Sequence, residues 1–247
     1  LRINILTADK NYKKLVQQAN TFNPKYVCIN DFSKISYMKK HIRNKKTKII
    51  EPDILTEFIK SIKSDMTILS ISGYQSLNYL PAIFINTKRL GIVNKECIVA
   101  AGHLFNRINK NNNTKIFPLD SEHYSLRNIL LDKYHNIKNC FLTASGGPFY
   151  NYNFNEIKNV AFNLAKKHPK WKMGYKNSID SATLANKCLE IVEAHYLFNI
   201  PYDKLNIIIH PEALVHSVVE FNNYTSSLNY FYHDMFIPLF NFLAEST

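Results

Sequence analysis

The chain has 247 residues, of which 46% are hydrophobic and 13% aromatic, and its formal charge is +12. This composition excludes an intrinsically disordered chain and provides enough apolar surface for one large domain or two ordinary ones. No apolar run approaches the roughly 18 residues that a membrane-spanning helix needs, and we see no signal peptide.

The basic balance is compatible with nucleic acid, an anionic membrane or an anionic small substrate as partner. Lysines are interleaved with Asn and Ile along the whole chain, a pattern that AT-rich coding DNA also produces. We attribute most of the charge to that bias, and we expect no nucleic-acid and no membrane partner. The Lys-rich run over 39–48 is predicted to be a solvated loop.

The cysteines form no Cys-x-x-Cys pair, and all have apolar neighbours: Cys28, Cys97, Cys140 and Cys188. This pattern indicates buried, reduced thiols in a reducing compartment.

In the first half of the chain, strand signals alternate with helical patterns. Strands are predicted over 3–7, 26–30, 47–51, 66–71, 90–94 and 114–118, and helices over 11–21, 54–61 and 79–85. This alternation predicts a parallel doubly wound sheet, whose ligands lie at the carboxyl ends of the strands. The complete G-x-G-x-x-G pattern is absent, so nucleotide binding cannot be inferred from it.

After residue 120 the pattern changes. Strands are predicted over 139–144, 205–209 and 215–221, and helices over 154–166 and 181–198. We place a domain boundary near Leu119, which gives one domain over 1–119 and a second over 120–247.

The helix predicted over 181–198 carries a narrow polar stripe. At 100° per residue, Asn186, Glu190 and Glu193 fall on one arc with Lys187 at its edge, and apolar residues border the arc on both sides. Carboxylates buried there need a partner, because unpaired burial is costly. A metal ion or a polar substrate would provide that partner.

Asp120-Ser-Glu122 follows a predicted strand. If the strand period continues, both carboxylates share one face and form an all-oxygen site with Glu190. Oxygen ligands suit Mg²⁺ or Mn²⁺ better than Zn²⁺. A solvated turn, or a helix N-cap at Asp120, is the alternative.

Other segments leave two interpretations open. The turn Ser145-Gly-Gly-Pro148 is either an anion-binding turn or an ordinary one. Lys95 and Glu96 are either cleft residues or a surface ion pair. Trp171 belongs either to a lid over a polar ligand or to a local core. The histidines at 210 and 216 are assigned to strand and turn packing, not to a metal site.

Several motifs occur in one order along the whole chain: Asn94-Lys-Glu96, Pro118-Leu-Asp-Ser-Glu-His123, Leu142-Thr-Ala-Ser-Gly-Gly-Pro-Phe149, His168-Pro-x-Trp-x-Met-Gly174, Ser178-x-Asp-Ser-Ala-Thr183, Asn186-Lys-x-Leu-Glu190, and Ile209-His-Pro211 with His216-Ser217. In order and spacing they resemble the 1-deoxy-D-xylulose 5-phosphate reductoisomerase family. The resemblance implies an α/β protein, with a Rossmann-like doubly wound NADPH-binding domain followed by an α/β catalytic domain. It also implies reduction and isomerisation of 1-deoxy-D-xylulose 5-phosphate to 2-C-methyl-D-erythritol 4-phosphate in the non-mevalonate isoprenoid pathway, with NADPH and Mn²⁺ or Mg²⁺ as cofactors.

The resemblance also implies roles for single residues. The implied metal ligands are Asp120, Glu122 and Glu190, and the implied catalytic residues are Lys95, Glu122 and His168. The implied substrate contacts are Lys95, Ser121, Glu122, Ser145, His168, Trp171, Met173, Ser181, Asn186, Lys187 and Glu190, with the segment around Trp171 and Met173 as a lid. The implied NADPH contacts are Lys10, Asn11, Gly73, Asn94, Glu96 and Gly174.

The chain departs from the family at several points. Asp9 and Ala144 stand where glycine is usual, and the segments 222–224 and 232–235 differ from the family pattern. The family's glycine-rich pyrophosphate loop and C-terminal helical domain are not found, so we expect an internal fragment with weak or no NADPH binding and no reliable turnover.

The resemblance implies a homodimer through the central domain of the full-length protein, and a location in the bacterial cytoplasm or, alternatively, a plastid stroma. Three other functions stay open: a plain NAD(P)-dependent dehydrogenase, a nucleic-acid-binding module and an inactive copy of the enzyme.

Overall fold

The structure is a computed structural model that describes residues 2–109, 112–131, 137–161, 164, 179 and 182–245. The chain divides into two compact units. The first comprises Leu1–Thr67 and Asn78–Lys88, and the second comprises Ile68–Leu77 and Arg89–Thr247.

The first unit is built around a parallel three-stranded sheet of order β1-β2-β3. Its elements are β1 (Ile5–Ala8), α1 (Tyr12–Phe22), β2 (Tyr26–Ile29), α2 (Ile35–His41), β3 (Lys48–Ile50), α3 (Leu55–Ser61) and α4 (Leu80–Asn86). The Asn11 side chain accepts a hydrogen bond from the Lys14 amide and so caps α1. Buried residues of α1, β2 and α2 form the core: Leu15, Val16, Ala19, Val27, Ile29 and Met38.

A second three-stranded sheet, of order β4-β5-β6, consists of β4 (Ser64–Leu69), β5 (Thr87–Ile92) and β6 (Lys115–Pro118). The strands β5 and β6 are parallel. The division between the two units falls within β4 and β5. The helix α5 (Lys95–Asn109) follows β5 and is interrupted at Ala101.

The rest of the second unit contains α6 (Ser121–Leu130), β7 (Ile137–Ala144), α7 (Phe154–Lys158), α8 (Ala185–Phe198), β8 (Leu205–Ile209), β9 (Val215–Phe221), β10 (Ser226–Tyr230) and α9 (Phe236–Ala244). The sheet has the order β10-β9-β7-β8, with β8 parallel and β9 antiparallel to β7. The helices α6 and α8 pack on this sheet through one core, and α8 also packs against α5. This packing brings the amino-terminal end of α5 and the buried face of α8 together.

The α/β class and the parallel strand pairing are confirmed. Two strands, Leu205–Ile209 and Val215–Phe221, have the predicted bounds. Five described elements are not among those predicted from the sequence: α2, α5, α6, β10 and α9. The helix predicted over 154–166 is described only as Phe154–Lys158, and the helix predicted over 181–198 only from Ala185 onward.

Three local predictions were wrong. Asp120 and Glu122 do not continue a strand, because α6 begins at Ser121 with Asp120 as its N-cap. The run over 39–48 is not all loop, since Lys39 and Lys40 lie in α2. Cys188 is exposed, whereas the other three cysteines are buried and free. Within the described ranges, no helix combines the length and the apolar character that crossing a bilayer requires.

Candidate metal and substrate site

Three carboxylates from two helices meet in the second unit. Asp120 precedes α6 and Glu122 lies in its first turn, while Glu190 projects from the buried face of α8. One carboxylate oxygen from each of the three lies within 4.8 Å of the others. The capping geometry explains part of this, because Asp120 Oδ1 accepts the Glu122 amide at 3.2 Å and Glu122 therefore turns back beside Asp120.

Two lysines neutralise these carboxylates. Lys95, the first residue of α5, donates from Nζ to Asp120 Oδ2 and, at 2.9 Å, to Glu190 Oε1. The Nζ of Lys187 lies 2.5 Å from Glu122 Oε1 and 2.5 Å from Glu190 Oε2. The group is therefore held by alternating charges, as buried charges must be.

Two further side chains bond directly to the carboxylates. Ser121 Oγ donates to Glu122 Oε2 at 2.6 Å, and Asn186 Nδ2 donates to Glu190 Oε1. Both residues belong to the predicted substrate set, and the structure places both of them against the carboxylates.

Two further buried residues, His123 and Glu193, lie next to the carboxylates. The His123 ring is fully buried, with Nδ1 3.2 Å from Asp120 Oδ1 and Nε2 2.9 Å from the Glu190 carbonyl oxygen. Glu193, also buried, places Oε2 3.3 Å from the same Nδ1. Neither residue was predicted from the sequence to have a role in the site. The polar stripe of α8 contained Glu193, and His123 stood in the Asp120–His123 motif.

Burial and neighbouring charges compete in setting the pKa of each group. Burial alone would raise the pKa of Asp120, but Lys95 and His123 hold it well below the ordinary value. Burial would lower the pKa of Lys95, yet the surrounding carboxylates raise it well above the usual range. The same opposition raises the pKa of Lys187, where Glu122 and Glu190 outweigh burial. Asp120 and the two lysines are therefore ionised at neutral pH.

The other carboxylates respond differently. Burial, reinforced by the nearby Glu190, raises the pKa of Glu122 to about 7. Burial also raises the pKa of Glu193 to about 7, although His123 opposes the shift. The carboxylates around His123 raise its pKa to about 9 against the effect of burial.

The donor set fits a hard divalent cation. Its three carboxylates offer only oxygen, the ligand type of Mg²⁺ and Mn²⁺. Glu190 Oε2 is buried and has no hydrogen bond among the described residues, although Lys187 lies within ion-pair distance of it. An oxygen in this position has lone pairs that a cation can use.

Asn94 lies directly before Lys95 and is buried. Its amide nitrogen donates to the carbonyl oxygens of Ile71 and Gly73, and its amide oxygen accepts from the Cys97 amide at 2.7 Å. The side chain therefore ties the 71–73 loop to the start of α5. Two residues predicted to contact the cofactor lie beside the Asn94 side chain. Gly73 has a left-handed φ of 75°, and Glu96 lies in the first turn of α5.

The remaining predicted residues fall elsewhere. Ser145 follows β7, and its Oγ accepts from the Gly147 amide at 3.3 Å. Lys10 and Asn11 belong to the first unit, where Asn11 caps α1. Five predicted residues lie outside the described part of the chain: His168, Trp171, Met173, Gly174 and Ser181.

Comparison with known proteins agrees with this arrangement. A family model described as 1-deoxy-D-xylulose 5-phosphate reductoisomerase matches residues 1–102, and one described as the C-terminal domain of the same enzyme matches residues 116–198. The chain is 39% identical to the 1-deoxy-D-xylulose 5-phosphate reductoisomerase of Pelagibacter ubique, over 100% of the chain and 64% of that protein. It is 37% identical to the apicoplastic enzyme of Plasmodium falciparum, over 96% of the chain and 52% of that protein.

Solved structures give the same result. A crystal structure of DOX-P reductoisomerase with NADPH, fosmidomycin and magnesium superimposes with a TM-score of 0.90 at 31% identity, covering 100% of this chain and 64% of that one. The enzyme from Zymomonas mobilis with NADPH gives the same values. The chain thus spans less than two thirds of the length of these relatives. With both family models and these folds in agreement, the chain belongs to the 1-deoxy-D-xylulose 5-phosphate reductoisomerase family.

Proposed function

We propose that the chain carries the metal and substrate site of an enzyme that converts 1-deoxy-D-xylulose 5-phosphate to 2-C-methyl-D-erythritol 4-phosphate with NADPH and Mg²⁺ or Mn²⁺. The single observation that supports this most strongly is the convergence of Asp120, Glu122 and Glu190 within 4.8 Å. A plain dehydrogenase has no need of three clustered carboxylates, one buried and two partly buried, that are neutralised by two lysines.

In this proposal, Asp120, Glu122 and Glu190 hold the divalent cation. When bound, the cation polarises the substrate's carbonyl and hydroxyl oxygens as a Lewis acid, and NADPH supplies the hydride. Lys95 and Lys187 neutralise the carboxylates and present ammonium groups to anionic substrate oxygens. Lys187 and Asn186 stand in the first turn of α8, where the positive end of the helix dipole also favours phosphate.

The remaining assignments are proposals of the same kind. We propose that residues 1–119 bind the cofactor and residues 120–247 bind the metal and substrate. One family model ends at residue 102 and the other begins at residue 116, so the proposed boundary lies close to the gap between them. NADPH contacts are assigned to Lys10, Asn11, Gly73, Asn94, Glu96 and Gly174. Substrate contacts are assigned to Ser121, Ser145, His168, Trp171, Met173 and Ser181, with His168 also catalytic.

We also propose a homodimer, and location in a bacterial cytoplasm with a plastid as the alternative. The relatives support the proposed location, because they include bacterial enzymes and an apicoplastic one. Sedimentation analysis of the purified protein tests the dimer directly.

The decisive experiment is NADPH oxidation with 1-deoxy-D-xylulose 5-phosphate, followed at 340 nm with the chain extended to its natural ends, with and without Mg²⁺ or Mn²⁺. We expect metal-dependent turnover that Glu190→Gln abolishes. The matched control is Glu220→Gln, which removes a carboxylate that bonds Asn139 within the sheet. Turnover without metal would support a plain dehydrogenase instead, and no turnover from the folded, full-length protein would reject the proposal.

A further inference from the structure

Glu193 is a buried carboxylate that the proposed function does not use. It lies on α8 three residues after Glu190 and is only 1% exposed. Its Oε2 atom has no hydrogen bond among the described residues, and the nearest described charged group is His123, whose Nδ1 is 3.3 Å away. Burying a carboxylate in this way is costly, so its presence beside a metal site calls for a function.

His123 connects Glu193 to the proposed ligands. Its Nδ1 lies 3.2 Å from Asp120 Oδ1, and its Nε2 lies 2.9 Å from the carbonyl oxygen of Glu190. The ring thus contacts both segments that supply carboxylates, the N-cap of α6 and the middle of α8. With no exposed surface, it has no alternative partner in solvent.

The contacts of its two nitrogens favour one orientation of the His123 ring. The two ring nitrogens contact oxygen atoms: Nε2 contacts the Glu190 carbonyl, and Nδ1 lies near one carboxylate oxygen of Asp120 and one of Glu193. The Glu193 carboxylate, 3.3 Å from Nδ1, attracts the same edge of the ring that contacts Asp120. Groups that orient metal ligands in this way typically change metal affinity 10- to 100-fold when they are removed.

We propose that Glu193 is a positioning residue that acts through His123 to orient the Asp120 carboxylate and so raises the affinity of the Asp120–Glu122–Glu190 site for a divalent cation. The inference rests on the proposed function, because it requires that these three carboxylates bind a cation. It assigns Glu193 no contact with substrate, cofactor or metal.

The test is a titration of the protein with Mn²⁺ alone, in which free Mn²⁺ is measured by electron paramagnetic resonance without substrate or NADPH. We expect Glu193→Gln to weaken Mn²⁺ binding by about 10- to 100-fold. The control Glu220→Gln is expected to bind as the wild type does, since its partner Asn139 lies at the start of β7. Circular dichroism and urea unfolding with chelator present establish that each variant is folded.

A second comparison separates positioning from a general loss of packing. If Glu193 acts through His123, then Glu193→Gln added to His123→Asn should weaken Mn²⁺ binding less than twofold further. Full additivity of the two substitutions would overturn the proposal, as would Mn²⁺ affinity within twofold of wild type in Glu193→Gln. If Glu193→Gln does not fold, Glu193→Asp replaces it; this variant keeps the charge and retracts it from His123, and the same two criteria apply.

If the three carboxylates do not form a metal site, the Mn²⁺ titrations give a different result. In that case the wild type binds no Mn²⁺, or Glu190→Gln binds it unchanged, and the inference is rejected together with the site. If Glu190→Gln abolishes binding while Glu193→Gln has no effect, the metal site stands and only the role of Glu193 is rejected.

Discussion

Lys187 and Glu122 form a buried ion pair, with Nζ of Lys187 2.5 Å from Oε1 of Glu122, although 65 residues separate them in the chain. The same ammonium group lies 2.5 Å from Glu190. One lysine thus neutralises carboxylates from two helices, and it contributes to stability as well as to the proposed chemistry.

Replacing Lys187 with Met should destabilise the protein by about 3–5 kcal/mol, because it removes the ammonium group shared by the buried Glu190 and the partly buried Glu122, and leaves Glu190 only Lys95. The free energy of unfolding in urea with chelator present measures this. Mg²⁺ should restore part of the loss by neutralising the same oxygens. The control is Lys88→Met, which removes an exposed pair whose side chains are 80% and 79% exposed, and it should cost about 1 kcal/mol or less. Equal losses in the two variants would contradict the prediction.

Replacing Asn94 with Ala should cost about 2–3 kcal/mol, since the carbonyl oxygens of Ile71 and Gly73 each lose the Asn94 donor, Gly73 keeping only Ser76 Oγ, and α5 loses its side-chain cap. Amide hydrogen exchange in the 70–77 segment should accelerate. Asn94→Asp keeps the acceptor for the Cys97 amide but loses both donors. Amide exchange in the 70–77 segment should therefore accelerate in this variant too, while exchange at the start of α5 should change less than in Asn94→Ala. Unchanged exchange in Asn94→Ala would show that the clamp does not hold the loop.

His216 should make the protein sensitive to acid. Burial lowers its pKa from 6.5 to about 4, so the unfolded chain takes up this proton near pH 6.5 and the folded protein only near pH 4. Stability from this residue is therefore complete above pH 6.5 and is lost as the pH falls toward 4, by roughly 3 kcal/mol.

The pH dependence of unfolding in His216→Asn measures this contribution. The difference in stability between wild type and variant should shrink by about 3 kcal/mol between pH 7 and pH 4. The exposed His103→Asn variant serves as control. A difference that is constant with pH would reject the assignment.

Gly146 is required by the turn after β7. Its φ is 84°, and a Cβ atom there would lie 2.7 Å from the Tyr150 ring. Gly146→Ala should therefore destabilise the protein by about 1–2 kcal/mol through the left-handed backbone alone, and further if Tyr150 cannot move. Thermal unfolding of Gly146→Ala beside Gly146→Ala/Tyr150→Ala separates the two contributions. If the single variant is as stable as the wild type, the turn conformation is wrong.

The sequence by itself determined the features that depend on local periodicity. The stripe of Asn186, Glu190 and Glu193 follows from the 100° step of one helix, and α8 buries both glutamates as expected. The alternation of strands and helices predicted parallel sheets in the same way. The N-cap at Asp120 had been left as an alternative, because the chain after a strand can continue as a strand or begin a helix, and local propensity alone does not decide between them.

Only the tertiary structure decided which charges meet. Lys95 reaches Asp120 and Glu190 across 25 and 95 residues of sequence, and His123 reaches the Glu190 carbonyl across 67. These pairings exist because α8 packs against both α5 and α6. The helix α5 itself was missed, since its Cys-Ile-Val-Ala-Ala-Gly sequence resembles a strand. In the structure α5 is helical and packs against α8, with Gly102 beside the Tyr196 ring. Energies of burial and charge pairing act between segments that are distant in the chain, and a pattern read along one segment contains no information about them.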